Sequence, residues 1–270
     1  MSDPVLTTFR FDRMPFAKSI ATDRLWLDDH RTRAVDALVS AIESHEHAAV
    51  FGEPGVGKTT VLRALRDRLS PVHFSCHYLA FVTLSPRDFI RQLCLALDLD
   101  PKATIAALFN ALQAEIAHRH REHRVHPVVV IDEAHLIPDR TLSQLHVLAN
   151  FDWDSQPLVS FVLVGLPELH SRLKLGVHRS LLTRISTKVE LAPATPEHTT
   201  AYVRQRIAEA GGRAELFAPD ALGMLHELTG GVLRSIDVVA TEALRMAAHQ
   251  DVKIVDRALL LRAHRASPLS

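Results

Sequence analysis

Apolar residues recur along this chain in two rhythms, and their alternation predicts an architecture. Between Arg31 and Glu43 the apolar positions Val35, Leu38, Val39 and Ile42 form a stripe at helical spacing. The short unbroken run Ala48–Phe51 follows and reads as a buried strand. Beyond a glycine-rich stretch, Val61, Leu62, Leu65 and Leu69 return to the helical period. His73–Val82 reads as a second strand. Ser85-Pro86-Arg87-Asp88 then opens a helix, with Ser85 as cap, Pro86 at the first position, and Phe89, Leu93 and Leu97 on one face. Ile105, Leu108, Leu112 and Ile116 mark another helix, and Val128–Ile131 a buried strand that ends in Asp132-Glu133. Leu142, Leu145 and Leu148 predict one more helix, Leu158–Val164 a strand, Leu169 and Leu173 a helix, and Thr187–Leu191 the last strand. Strands alternating with helices in this way predict an α/β fold: a parallel sheet with helices on both faces.

The rhythm changes after Ala192-Pro193-Ala194-Thr195-Pro196. Thr195 caps a helix with Pro196 at its first position, and Gly211-Gly212 ends it. Pro219-Asp220 opens a second, closed by Gly230-Gly231; Ile236, Val239, Ala240 and Leu244 mark a third, and Val255–Ala263 a short fourth. The first thirty residues carry Phe9, Phe11, Met14, Pro15 and Phe16 without a sustained period, as expected of an arm lying across a folded body. The expected organisation is an arm over 1–30, an α/β domain over 31–192, and a small all-helical lid over 193–270.

Composition narrows the setting. Of 270 residues, 47% are hydrophobic and only 6% aromatic, so the core is mainly aliphatic. Lys+Arg and Asp+Glu both number 31, so any nucleic-acid surface has to be a local patch. Cys76 and Cys94 show no metal-ligand spacing and suit reduced thiols. No apolar run approaches the ~20 residues of a membrane span, and the N-terminus has no signal-peptide pattern. A cytoplasmic protein without membrane contact is expected.

The chemistry concentrates at Gly52-Glu53-Pro54-Gly55-Val56-Gly57-Lys58-Thr59, followed by Thr60. This is the phosphate-loop pattern G-x-x-x-x-G-K-[ST], entered from a strand and left by a helix. Glycines let backbone N–H groups turn inward around phosphate oxygens, and the helix N-terminus adds its positive end. Lys58 would reach the β- and γ-phosphates of ATP, and the Thr59 hydroxyl would ligate Mg²⁺. At the end of the Val128–Ile131 strand, Asp132 would hold the same Mg²⁺ and Glu133 would polarise the attacking water. A bare carboxylate beside a γ-phosphate is repelled, so ATP and Mg²⁺ are expected together.

Two further features stay open at this level. Pro15-Phe16 suits an apolar wall for adenine as well as it suits simple packing. His118, His120, His123 and His126, with interspersed arginines, invite a metal, but the spacing follows no zinc pattern. A solvated helix end with cations at its negative pole is the expected reading.

With these motifs placed, the sequence resembles the AAA+ ATPases. More narrowly it resembles the group named after the secretion protein ExeA, also called GspA, which includes the ATPase helpers of DDE transposases. The resemblance rests on Met14-Pro15-Phe16, Gly52–Thr60, Val128–Ile137, LANFDWDS at 148–155, LVGLPEL at 163–169 and GGVLRSI at 230–236. It implies an arginine finger at Arg184, with Arg179 as the other candidate, aimed at a neighbouring subunit's γ-phosphate. It also implies a nucleotide-reading arginine of the lid at Arg234, and self-assembly into a hexameric ring or helical filament. One departure stands out: the fourth strand ends Val164-Gly165-Leu166, where many relatives carry a polar residue that senses the γ-phosphate, and Leu166 cannot donate a hydrogen bond.

The leading expectation is an ATP-dependent regulator of transposition that assembles on duplex DNA and recruits a transposase. Its DNA patch would be Arg87, Arg91 and Lys102. Secretion relatives carry a membrane span and a periplasmic extension after the ATPase, whereas this sequence stops at Ser270 after the lid helices, which favours the transposon reading. The alternatives are an ATPase assisting assembly of a secretion pore and a nucleotide-gated scaffold with little hydrolysis.

Overall fold

The computed structural model describes residues 3–80, 82–151 and 155–268. In chain order the strands are β1 (His47–Gly52), β2 (Phe74–Leu79), β3 (His126–Ile131), β4 (Ser160–Gly165) and β5 (Ile185–Leu191). The helices are α1 (Pro4–Phe9), α2 (Asp29–Glu43), α3 (Lys58–Arg68), α4 (Pro86–Ala96), α5 (Ile105–His118), α6 (Asp139–Leu142), α7 (Leu145–Leu148), α8 (Pro167–Leu173) and α9 (Arg179–Leu182), followed by α10 (Pro196–Glu209), α11 (Pro219–Thr229), α12 (Leu233–His249) and α13 (Arg257–Ala266).

The chain forms two compact units, one of Asp29–Gly52 with Val61–Leu191, the other of Met1–Asp28 with Glu53–Thr60 and Ala192–Ser270. The first holds the expected parallel sheet, in the order β2-β3-β4-β1-β5. Its inner strands β1, β3 and β4 are buried along their whole length, which is why they read as unbroken apolar runs. All pairings are parallel, so every strand presents its carboxyl end at the same edge. β4 lies between β1 and β3, so the strand that enters the glycine loop and the strand that ends in Asp132 are next-but-one neighbours.

The second unit is helical, and its apolar side chains form one core. Val5, Phe11, Phe16 and Trp26 from the first 28 residues pack with Tyr202, Val203, Leu225, Ile236, Val239 and Leu260. The arm is therefore partly folded: α1 is capped by Asp3, whose side chain accepts from the Val5 N–H. The caps expected at Ser85 and Thr195 are made, to Asp88 N at 3.3 Å and His198 N at 3.2 Å. Among the described residues from 192 on there is no strand, only an isolated bridge between Phe217 and Val255.

Several expected elements differ. β2 is shorter than His73–Val82 because it is an edge strand whose only pairing, with β3, ends at Leu79; Phe81 lies outside the described residues. The single helix expected through Leu142, Leu145 and Leu148 is two short ones, α6 and α7. The last helix starts at Arg257 because Asp256 caps it, accepting from Leu259 N at 2.8 Å. β4 begins at Ser160 rather than Leu158, and β5 begins earlier than expected, at Ile185. The histidine-rich segment is a wide π-type turn over Arg119–His123, and His126 is not part of a solvated end: it is the first, buried residue of β3.

Candidate functional site

The loop expected to cradle phosphates runs from Glu53 to Thr60, between β1 and the start of α3. Gly55 and Gly57 have φ of +84° and +99°, which a side chain would strain. Gly55 is also crowded: a Cβ there would stand 2.8 Å from Arg234 Cβ and 2.9 Å from Val232 Cγ1. Its carbonyl accepts from Arg234 N at 3.2 Å, so the loop tip sits on the first turn of α12. Val56 is wholly buried, anchoring the loop, while Pro54 and Thr59 are exposed and Gly57, Lys58 and Thr60 half-buried. Lys58 Nζ donates to the Glu53 carbonyl at 3.0 Å, bending the side chain over its own loop. Gly52 closes β1 and is buried.

The same unit holds the arm residues. Pro15 and Phe16 are both buried. Arg206 of α10 donates to the carbonyls of Pro15 at 2.7 Å and Ala17 at 3.0 Å, and its guanidinium lies 6.0 Å from the Phe16 ring centroid. Pro15 lines a cavity of about 110 Å³ with Met14, Ala17, Ile20 and Arg24. Phe16 belongs to the helical core. Arg206 also reaches Tyr202, whose hydroxyl donates to Asp237 at 2.5 Å. Burial lifts the Asp237 carboxyl to about 6, against the pull of the Tyr202 hydrogen bond and Arg206. Arg234 is exposed, three residues ahead of Asp237 on α12.

In the sheet unit, Asp132 directly follows β3 and is 9% exposed. Its N–H donates to Leu79 O at 2.9 Å, the last rung between β3 and β2. One carboxylate oxygen accepts from the Tyr78 hydroxyl at 2.5 Å and the other from Glu133 N at 2.8 Å. Although more than half of Tyr78 is exposed, desolvation at its hydroxyl end, then the Asp132 hydrogen bond and the charges of Asp132 and Glu133, push that hydroxyl well above its usual range, so it stays a donor. Glu133 sits at φ +52°, a left-handed conformation that a non-glycine residue adopts at a cost of about 1–2 kcal/mol. Its side chain is half exposed, with His135 Nδ1 3.5 Å from Oε2. At the end of β4, Leu166 follows Gly165 and leads into α8. Arg184 lies between α9 and β5, its guanidinium donating to Ser180 O at 3.2 Å, and Arg179 is exposed at the start of α9.

Among the described residues no group of three or more His, Cys, Asp or Glu side chains is arranged to hold a metal. One carboxylate, Asp132, and one hydroxyl, Thr59, are hard oxygen donors. Each by itself is the kind of oxygen that Mg²⁺ takes, an ion that keeps several waters and accepts further ligands from substrate phosphates. Cys76 and Cys94 are free, and no helix among the described residues is long and apolar enough to cross a membrane. Tyr78, Arg206 and Asp237 belong to no motif, and His135 lies within the Val128–Ile137 segment without a role assigned to it from sequence; only the fold brings these side chains to their partners. Of the LANFDWDS segment, Asp152, Trp153 and Asp154 lie outside the described residues.

Residues 42–173 match the family model described as AAA domain. The chain is 33% identical over 268 residues to general secretion pathway protein A of Aeromonas hydrophila, covering 96% of this chain and 48% of that protein. It thus spans about half the length of that curated relative. Among solved structures, it resembles the ORC2 protein of Aeropyrum pernix in its ADPNP–ADP complexes, with a TM-score of 0.70 at 17% identity over 95% of this chain and 72% of that one. It also resembles Cdc6p of Pyrobaculum aerophilum, with a TM-score of 0.69 at 19% identity over 89% of this chain and 67% of that one. The RuvB branch-migration motor of Thermotoga maritima follows, with a TM-score of 0.62 at 17% identity over 94% and 73%.

Proposed function

We propose that this chain, whose fold is that of the AAA+ ATPases, binds Mg²⁺·ATP, hydrolyses it, and uses the cycle to control its own assembly in the service of a secretion pathway. The glycine loop carries the nucleotide reading: an apolar strand, two left-handed glycines, and Lys58-Thr59 opening a helix. Backbone N–H groups of the loop and the α3 N-terminus bind the phosphates. Lys58 would neutralise phosphate oxygens, Thr59 and Asp132 would hold Mg²⁺, and Glu133 would orient the attacking water. Mg²⁺, when bound, would supply charge neutralisation to the phosphates. Pro15 and Phe16 serve the adenine end, Arg234 reads the nucleotide state, and Arg184 completes a neighbour's site in a ring or filament. The setting is cytoplasmic.

The secretion assignment draws support from 33% identity that runs through 96% of the chain, the arm and the C-terminal helices included. A second reading, the DNA-bound regulator of transposition, rests on a different observation. Arg87 and Arg91 stand one turn apart on the exposed face of α4, and Lys102 is exposed in the loop that follows. Such a patch fits duplex phosphates, and repetition around an oligomer would multiply its weak contacts.

Phosphate release measured with and without duplex DNA separates the two. We expect Mg²⁺-dependent turnover that Lys58→Ala abolishes together with ATP binding, and a rate indifferent to DNA. Stimulation by DNA that is lost in the Arg87/Arg91/Lys102 triple alanine variant would replace the secretion reading with the transposition one. ATP binding without turnover would leave a nucleotide-gated scaffold.

A further inference from the structure

Leu166 stands at the end of β4, where a side chain that senses phosphate or orients water is expected, and it has no polar atom. The fold brings a polar group to this place from the neighbouring strand. His135 lies in the turn after β3, and its Nδ1 accepts from Leu166 N at 3.4 Å while standing 3.5 Å from Glu133 Oε2. The imidazole is only 13% exposed, against 50% for the Glu133 side chain. Gly165 makes the room, since a Cβ there would lie 3.2 Å from His135 N and 3.3 Å from His135 Nδ1.

The histidine is also held from behind. Arg172 of α8 donates to the carbonyl of His135, to that of Ile137 at 2.7 Å, and to the Asp139 carboxylate. Asp139 in turn is bonded to the buried His178 at 2.9 Å. This clamp fixes the backbone on which the imidazole stands, and the Leu166 N–H fixes the ring. A ring nitrogen that accepts a backbone N–H carries no proton of its own, so the neutral ring has its proton on Nε2. Nδ1 therefore does not hydrogen-bond Glu133 in that state; it forms a wall beside the carboxylate.

We infer that His135 is the positioning residue for Glu133, supplying from β3 the polar group that the end of β4 lacks. The inference rests on the ATPase reading above. Glu133 is fixed on its backbone side by the left-handed turn and the Asp132 oxygen that receives its N–H. On the other side the held imidazole restricts it by exclusion: the Nδ1 lone pair repels a carboxylate oxygen that comes closer than the observed 3.5 Å, which removes those orientations and leaves the carboxylate turned toward water.

The test uses the full chain. His135→Ala should lower kcat at least about tenfold while the ATP dissociation constant stays within about twofold, because only the water-activating side is touched. His135→Asn, whose amide oxygen can take the place of Nδ1, should recover most of that loss. In a Glu133→Gln background, His135→Ala should have less than about a twofold further effect, since both act through one carboxylate. An unchanged kcat in His135→Ala, an Asn variant as slow as the Ala variant, or a full additional loss in the Gln background would overturn the inference. Turnover no higher than that of Lys58→Ala would instead mean that the ATPase reading has failed. The contact is then judged by ¹⁵N NMR of the imidazole. The inference expects an unprotonated Nδ1 whose shift moves in Glu133→Gln, and an unmoved shift overturns it.

Discussion

The backbone N–H of Arg234 donates to the carbonyl oxygen of Gly55 at 3.2 Å. That N–H belongs to the first turn of α12, whose early donors have no partner inside the helix. The phosphate loop thus satisfies a helix end, and the helix end fixes the loop tip. The approach is close enough that position 55 tolerates only glycine, for two separate reasons: φ is +84°, and a Cβ would lie 2.8 Å from Arg234 Cβ.

Gly55→Ala should therefore lose ATP affinity by more than about tenfold and lower the melting temperature, since the left-handed φ alone costs about 1–2 kcal/mol. Arg234→Ala keeps the backbone donor and should leave both largely unchanged while slowing hydrolysis. Isothermal titration with a non-hydrolysable ATP analogue, alongside thermal melts, checks this. A Gly55→Ala protein that binds as tightly as the parent would show that the loop tip is not the phosphate cradle.

Arg184 has its own contact, to Ser180 O, which places it between α9 and β5. If it acts on a neighbour's γ-phosphate, turnover per subunit should rise steeply with protein concentration. Arg184→Ala should bind ATP normally and hydrolyse it at least about a hundredfold more slowly. Mixing it with Lys58→Ala should restore part of the activity at interfaces that pair an intact loop with an intact arginine. No recovery, once mixed assembly is verified by sedimentation, would count against Arg184 and move the assignment to Arg179.

What the sequence discloses and what it hides follow a physical division. The glycine loop is legible because its requirements are local: a strand, glycines at fixed offsets, and a lysine opening a helix. Strands β1, β3 and β4 are legible because full burial leaves a continuous apolar run. β2 is harder: as an edge strand it buries only Leu79, so its ends are set by pairing rather than by its own residues. The arm is illegible alone, since Val5, Phe11, Phe16 and Trp26 acquire a reason only in the core they share with α10–α13. His135 and Tyr78 are the furthest from sequence reasoning. Tyr78 acts through the register of β2 on β3, and His135, although it lies within the Val128–Ile137 motif, acts through the room that Gly165 leaves at the end of β4; no spacing rule encodes either contact.

Acid should destabilise this protein, and the buried histidines decide the sign. His126 is 3% exposed, stacks on His45 at 4.1 Å, and bonds Ser160 Oγ through Nε2 at 2.9 Å, with no hydrogen-bond partner for Nδ1. Burial first, then the neighbouring His45, His120 and His47, lower its pKa from 6.5 to about 3. His45 and His77 are lowered too, in both cases mainly by burial. Between pH 6.5 and 3 the unfolded chain thus binds more protons at His126 than the folded one does, so the stability present above 6.5 is lost as pH falls. Asp237 works the other way: its carboxyl, raised from 3.8 to about 6, makes the folded state gain stability as pH falls through that window. From 6.5 to 6 the histidines act alone; below 6 Asp237 offsets about one of them, at roughly 1.4 kcal/mol per pH unit for a fully shifted group. The net slope keeps the histidine sign. Melting temperatures should fall steadily from pH 7.5 to 5, and His126→Gln, which keeps a polar group toward Ser160 but does not titrate, should flatten the fall. A melting temperature that rises on acidification would mean that Asp237 outweighs the cluster, and Asp237→Asn would then remove the rise.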